Sequence, residues 1–174
     1  MKLFCKILFI LTLLANPAYS YTHPKGLYVL QYPVPMPSVS LIDENNNSSP
    51  IQDTSSDLTI FVFWSQSCYP CLKEMKDLEK LYKKALNDNI SIKLVSSSKE
   101  WDDFKTERTF LTKYGAPSIP FYSDTDNSLS LKLGIGSTPY TVIMDKSGKK
   151  VATIQGSINW GSKKLYKQIQ NLAK

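Results

Sequence analysis

Two cysteines, Cys68 and Cys71, are separated by two residues in a chain of 174 residues that holds three cysteines in all. This spacing suits a redox pair, because one thiolate can attack a disulfide and the second can then release the partner. A disulfide over so short a ring constrains little of the unfolded chain, so a purely structural crosslink is the weaker interpretation. A zinc site would need two further ligands, and the single histidine is His23. The spacing therefore predicts thiol–disulfide chemistry.

The residues around the pair predict how it is positioned. The run 58–64 is almost wholly apolar and β-branched, which indicates a central strand buried on both faces. After the pair, apolar residues recur with helical spacing, so a helix is expected to begin near Cys68. Its free N–H groups and dipole favour the thiolate of Cys68, the expected exposed nucleophile, while Cys71 lies deeper and resolves the mixed disulfide. Pro70 fits the first helical turn.

The rest of the chain alternates predicted strands and helices. Strands are expected at 39–42 and 90–95 and in a hairpin of 140–144 and 150–154, with helices at 99–114, 128–133 and 162–173. The polar tract 43–50 is predicted to be a surface loop. This order indicates an α/β domain at 39–174, with a mixed central sheet, helices on both faces and an insertion after the second strand.

The N-terminus carries the features of an export signal. Residues 1–20 combine an early lysine pair, a short apolar core and small residues at Ala18-Tyr19-Ser20, so we expect a signal peptide there. An uncleaved membrane anchor is the alternative. Residues 21–38 are rich in proline and are predicted to be an extended, loosely structured segment. The net charge of +6 is spread along the chain without a basic run, which does not indicate nucleic-acid binding.

Two stretches resemble a known family. The first, 61–75, reads Phe-Val-Phe-Trp-Ser-Gln-Ser-Cys-Tyr-Pro-Cys-Leu-Lys-Glu-Met, and the second, 134–145, contains Thr138-Pro139 ahead of the hairpin. Both are similar to the TlpA/ResA-like thioredoxin-fold proteins, which are exported or membrane-associated disulfide reductases of bacteria. The resemblance runs from about residue 39 to the C-terminus. It implies a thioredoxin fold with an N-terminal extension and a redox-active Cys68–Cys71 disulfide.

The resemblance also implies roles for residues around the pair. Pro139 matches the cis-proline of the family, which lies against the disulfide and offers a backbone edge to the substrate. Glu74 matches an acid that tunes or carries protons for the cysteines; an exposed helix acid is the alternative. The remaining expected substrate-binding residues are Trp64, Tyr69, Pro70 and Thr138.

The direction of electron flow follows from where the sequence departs from related proteins. Val62 stands where cytoplasmic thioredoxins carry a buried acid, so Glu74 is the candidate proton acceptor. The dipeptide Tyr69-Pro70 lacks the histidine found between the cysteines of the oxidant DsbA, which favours a reductant. The family implies protein disulfides as substrates, apocytochrome c or copper-centre proteins as partners, a membrane electron donor of the DsbD/CcdA kind, a periplasmic location and no organic cofactor.

Three alternatives remain open from the sequence. The first is an oxidant of the DsbA kind, and the second is a thiol peroxidase, whose cysteine stands in a different setting. The third is a copper chaperone of the SCO kind, which typically uses a C-x-x-x-C spacing and a distant histidine. Here the spacing is one residue shorter, and no histidine follows the cysteines.

Overall fold

The computed structural model describes residues 26–52 and 55–173, so the predicted signal peptide at 1–20 and His23 lie outside the described residues. The described residues form one mixed sheet whose strands, in chain order, are β1 (Gly26–Pro35), β2 (Ser40–Asp43), β3 (Ser48–Pro50), β4 (Leu58–Phe63), β5 (Ile90–Ser97), β6 (Phe121–Asp124), β7 (Tyr140–Asp145) and β8 (Lys149–Gln155). The helices are α1 (Tyr69–Ala85), α2 (Phe104–Lys113), α3 (Ser128–Leu133) and α4 (Lys163–Asn171). Within this part of the chain, no helix is both long and apolar enough to cross a bilayer.

The strand that precedes the cysteines lies at the centre of the sheet. The strand order is β1-β8-β7-β4-β5-β6-β2-β3, and β4 is parallel to β5 and antiparallel to β7. Every residue of β4 is buried, as expected for an apolar strand covered on both faces. One face packs against the apolar stripe of α1, including Met75 and Leu78, and the other against a second cluster that includes Leu129. The CxxC segment therefore follows directly from the buried centre of the sheet.

The segment 26–35 differs from the loosely structured chain predicted from its prolines. It forms β1, which pairs antiparallel with β8 at one edge of the sheet, with a register shift between Val29 and Val34. Pro33 and Pro35 lack an N–H group, which an edge strand tolerates. The segment is extended as predicted, but it belongs to the sheet.

Two further strands were missed by the sequence analysis. The tract predicted as a surface loop contains β3, which pairs with β2 across a turn in which Asp43 Oδ1 accepts the N–H groups of Asn45 and Asn47 at 2.9 and 2.8 Å. β6, which lies between the predicted helices, pairs parallel with β5 and antiparallel with β2. Neither strand exceeds four residues, too few for a clear alternating pattern.

The predicted insertion after the second strand of the core runs from residue 98, directly after β5, through α2 to β6. α2 begins at Phe104, later than predicted, because the Asp103 carboxylate caps it by accepting the Thr106 N–H at 2.6 Å. Arg108 of α2 donates to both carboxylate oxygens of Glu44 and to main-chain carbonyls of the segment 116–119. The insertion is thereby fastened to the β2–β3 turn.

Candidate active site

Cys68 and Cys71 form a disulfide at the start of α1, with their Cα atoms 5.3 Å apart. Cys68 is the N-cap residue, and its Sγ accepts the N–H of Cys71 at 3.2 Å. A free helix N–H and the positive end of the helix dipole at this sulfur favour the thiolate once the pair is reduced. Cys68 is 9% exposed and Cys71 2%, so the accessible member is the one predicted, although most of its surface is covered.

The two residues between the cysteines lie on the surface. Pro70 occupies the first turn of α1, where its missing N–H leaves no hydrogen bond unmade, as predicted. Tyr69 is 65% exposed, and the ammonium group of Lys73 lies 4.5 Å from the centre of its ring. An exposed aromatic ring with a lysine beside it thus directly follows Cys68 on the protein surface.

The Thr138–Pro139 segment lies at the same end of the sheet as the disulfide. Its peptide bond is cis, as the family resemblance implied. It leads directly into β7, whose first residue, Tyr140, pairs with Phe63, the last residue of β4. Thr138 and Trp64 line an open groove of about 400 Å³ that also includes residues 135–137 and one side of α3. The structure thus brings two of the predicted substrate-binding residues to one groove.

Trp64 directly follows β4 and packs inside the protein, next to the loop that leads to Cys68. It is only 2% exposed, which leaves little of its ring for contact with a substrate, the role predicted for it. Its ring centre lies 5.6 Å from that of Trp101 and 6.2 Å from that of Phe110. Its main-chain N–H donates to Val95 O at 3.0 Å. These three contacts hold the chain where β4 ends and the loop to Cys68 begins.

The loop before Cys68 is held by the insertion. Gln66 N donates to the carboxylate of Glu100 at 2.9 Å, and Gln66 Nε2 donates to the main-chain oxygen of Glu100 at 2.7 Å. Sequence analysis missed this pair, since two polar residues 34 positions apart carry no local pattern. The CxxC loop is therefore clamped by a segment outside the motif.

Glu74 is buried one helical turn after Cys71, rather than exposed on the helix surface. Its carboxylate accepts hydrogen bonds from the Ser157 hydroxyl and the Ile158 N–H, and from Trp160 Nε1 at 3.2 Å. Burial raises the pKa of this carboxyl above its usual value, and the three donors oppose that rise. The segment after β8 therefore holds the one acidic side chain predicted to serve the cysteines.

The part of the chain that the structure describes contains no clustered metal-binding side chains. No group of three or more His, Cys, Asp or Glu side chains there is arranged to hold an ion. The site holds two sulfurs at a helix N-terminus, and the buried carboxyl of Glu74 lies one helical turn beyond Cys71. These are the components of dithiol–disulfide exchange.

Comparison with known proteins agrees with this chemistry. Residues 33–169 match the Redoxin family model. The chain is 25% identical over 151 residues to the thiol-disulfide oxidoreductase ResA of Bacillus thuringiensis (strain Al Hakam), an alignment that covers 84% of this chain and 85% of that protein.

Solved structures show the same fold. StoA from Bacillus subtilis superposes with a TM-score of 0.63 at 17% identity, over 82% of this chain and all of that chain. A DsbF homologue from Corynebacterium diphtheriae gives a TM-score of 0.69 at 17% identity, over 90% of this chain and 96% of that one. The chain belongs to the Redoxin family and is a thiol–disulfide oxidoreductase of the thioredoxin fold, with features of the TlpA/ResA-like group.

Proposed function

We propose that this protein is a periplasmic reductant of protein disulfides. The observation that carries the proposal is the disulfide at the start of α1, whose Cys68 Sγ already accepts a helix N–H. Once reduced, that sulfur is stabilised as the attacking thiolate. Tyr69, Pro70 and the cis Thr138–Pro139 segment form the surface on which the partner chain lies.

The exchange takes place in two steps. The Cys68 thiolate attacks one sulfur of the partner's disulfide, forming a mixed disulfide and releasing the partner's other sulfur as a thiolate. The Cys71 thiolate then attacks Cys68 Sγ, which restores the disulfide of this protein and releases the second partner thiolate. Two electrons pass to the partner, and a membrane donor of the DsbD/CcdA kind is the proposed source that reduces the pair again.

Glu74 is the proposed proton acceptor for Cys71. It lies one turn further along α1, on the same face (i, i+3), and burial raises its pKa above the usual value, which makes the carboxylate a better proton acceptor. Its hydrogen bonds to residues 157–160 fix where that proton is held. Val62 of β4 is apolar and does not supply a second acid.

The location and the partners of the protein follow from the proposed export. The signal peptide predicted at 1–20, cleaved or retained as an anchor, would deliver the domain to an oxidising compartment, where a reductant of protein thiols is needed. Apoproteins that bind haem or copper through cysteines are the proposed class of substrate, because their thiols must be reduced before the cofactor binds.

The mechanism is tested by trapping. Cys71→Ser removes the resolving thiol, so mixed disulfides on Cys68 should accumulate in an extracytoplasmic extract and disappear with dithiothreitol. Cys68→Ser is the matched control and should trap nothing. An equal yield of complexes from the two variants would contradict the assignment of Cys68 as nucleophile.

The direction is tested by the reduction potential of the Cys68–Cys71 couple, measured against glutathione or dithiothreitol. A potential near about −270 mV is expected for a reductant. A value near about −120 mV would instead identify an oxidant and overturn the proposed direction.

A further inference from the structure

A second cavity, of about 240 Å³, lies beside the site in the insertion, between the segment that follows β5, the start of α2 and strand β6. Its walls include Trp101, Asp102, Asp103, Phe104, Glu107 and Ser123. Three of these side chains are carboxyls and two are aromatic rings. The proposed exchange chemistry uses none of them.

Two polar groups in the cavity wall have no hydrogen-bond partner among the residues that the structure describes. Ser123 is 4% exposed, and within residues 26–52 and 55–173 no group lies within hydrogen-bond distance of its Oγ. The same holds for Nε1 of Trp101 within those ranges. A buried polar atom without a partner is costly, so both atoms point to an occupant that supplies hydrogen bonds.

The charge in the cavity wall is negative. Glu107 is 1% exposed, and its Oε1 accepts the hydroxyl of Ser96 at 2.7 Å. The neighbouring cation, Arg108, is engaged by the Glu44 carboxylate and by main-chain carbonyls of residues 116–119. Asp102 and Asp103 add two more carboxyl groups at the same cavity. An occupant with a positive charge and N–H donors is complementary to this wall.

The cavity is adjacent to the redox loop. Trp101 packs against Trp64, with ring centres 5.6 Å apart, and its neighbour Glu100 holds Gln66 by two hydrogen bonds. The cavity wall and the loop that leads to Cys68 are thus joined through residues 100 and 101. The rings of Trp101 and Phe104 suit an aliphatic stem, because long cationic side chains bury their methylene groups against apolar surface.

We propose that this cavity binds the ammonium or guanidinium group of a lysine or arginine in the partner protein, close to the disulfide being reduced. Glu107 and Ser123 accept its N–H groups, and Trp101 Nε1 donates to a carbonyl oxygen of the same segment. The proposal rests on the proposed exchange with protein disulfides and deepens it by naming a recognition element of the substrate.

The binding should depend on pH. Burial, followed by the nearby Glu100 and Glu44, raises the pKa of Glu107 to about 7, while Ser96 and Arg108 act in the opposite direction. A cation binds the ionised carboxylate more tightly than the neutral acid. Its affinity should therefore rise as the pH increases through about 7.

The first test uses n-propylguanidinium as the probe and uncharged butyramide as its control, with the full chain labelled with ¹⁵N. The probe should shift the Trp101 indole N–H resonance in a saturable manner, and butyramide should not. Glu107→Gln should weaken binding about tenfold or more, and Ser123→Ala by a smaller factor. The matched control is Glu79→Gln, which alters a buried glutamate whose partners are Ser118 and Lys83. This variant should bind n-propylguanidinium like the parent. Equal binding of butyramide, or parental affinity in both cavity variants, would overturn the proposal.

The second test uses two peptides that carry the same disulfide and differ only in a lysine or a glutamine beside it. The ratio of kcat/KM for lysine over glutamine should exceed about ten and fall toward one in Glu107→Gln and in Ser123→Ala. A ratio of one in the parent means that the cavity serves free cations or water only, and it overturns the recognition of a partner side chain. Reduction of neither peptide would contradict the proposed exchange function itself.

Discussion

The pH dependence of stability is expected to be dominated by Glu107, a carboxyl on the buried face of α2. Its pKa rises from an ordinary 4.5 to about 7, chiefly through burial. The folded protein therefore holds this proton more tightly than the unfolded chain, and the free energy of unfolding falls as the pH rises from about 4.5 to about 7. A pKa difference of about 2.5 corresponds to roughly 3 kcal/mol, of which roughly 2–3 kcal/mol falls between about pH 5 and about pH 8.

The change that isolates this effect is Glu107→Gln, which keeps an acceptor for Ser96 and removes the titration. Urea unfolding of the oxidised protein at several pH values gives the free energy of unfolding of parent and variant. Relative to the parent, the free energy of unfolding of the variant should increase by roughly 2–3 kcal/mol between about pH 5 and about pH 8. The reason is that only the parent must bury a carboxylate at the higher pH.

Glu79→Gln provides the matched control for the same measurement. The pKa of Glu79 is lowered: burial, the largest influence, raises it, but the hydrogen bonds from Ser118 and the nearby Lys83 together outweigh burial. The contribution of the ionised Glu79 to stability is present above about pH 4.5 and is lost only at lower pH. The difference between Glu79→Gln and the parent should therefore stay constant from about pH 5 to about pH 8. A constant difference for Glu107→Gln as well would refute the reasoning about its burial.

Three further changes test the support of the site. Glu74→Gln should remove one inflection from the pH profile of mixed-disulfide resolution, measured by stopped-flow, because the buried carboxyl with its raised pKa is lost; an unchanged profile would exclude Glu74 as proton acceptor. Trp160→Phe should destabilise the protein by about 1–3 kcal/mol in urea unfolding and raise the pKa of Glu74 further, since Oε2 loses its N–H donor; a lowered pKa in a carboxyl NMR titration would contradict this. Asp124→Asn should cost about 1–3 kcal/mol, because both carboxylate oxygens accept N–H groups at the start of α3. Asp126 is exposed, so Asp126→Asn should cost little stability. An equal loss of stability in the two variants would show that the hydrogen bonds of Asp124 are not responsible.

The redox pair and its supporting strand could be predicted because they depend on local patterns. Three local patterns lie within about 25 residues: the apolar run of β4, the spacing of Cys68 and Cys71, and the helical recurrence of apolar residues in α1. Such patterns predict a buried strand, a redox pair and an amphipathic helix without knowledge of the rest of the fold. The Thr138–Pro139 segment was found through the family resemblance, since Thr-Pro alone predicts only the entry to a strand.

The parts that were missed depend on contacts between distant segments. β3 and β6 are short and acquire their conformation from their neighbours in the sheet. Glu107 lies on an amphipathic helix, where a glutamate ordinarily faces solvent, and only the packing of α2 over Ser96 buries it. In the same way, the partners of Glu74 come from residues more than 80 positions away. Such burial follows from the tertiary structure and leaves no periodic trace.

Because of the hydrogen bonds between Gln66 and Glu100, the position of the redox motif depends on a residue outside the motif. Because the loop that delivers Cys68 is fixed by a segment outside the motif, a substitution near Glu100 would move the sulfur relative to the helix N–H groups that stabilise it. Two proteins with the same Tyr-Pro between their cysteines would then differ in reactivity. The segment around Glu100 is therefore a position at which substitutions would change the reactivity of Cys68 while every residue of the CxxC stays the same.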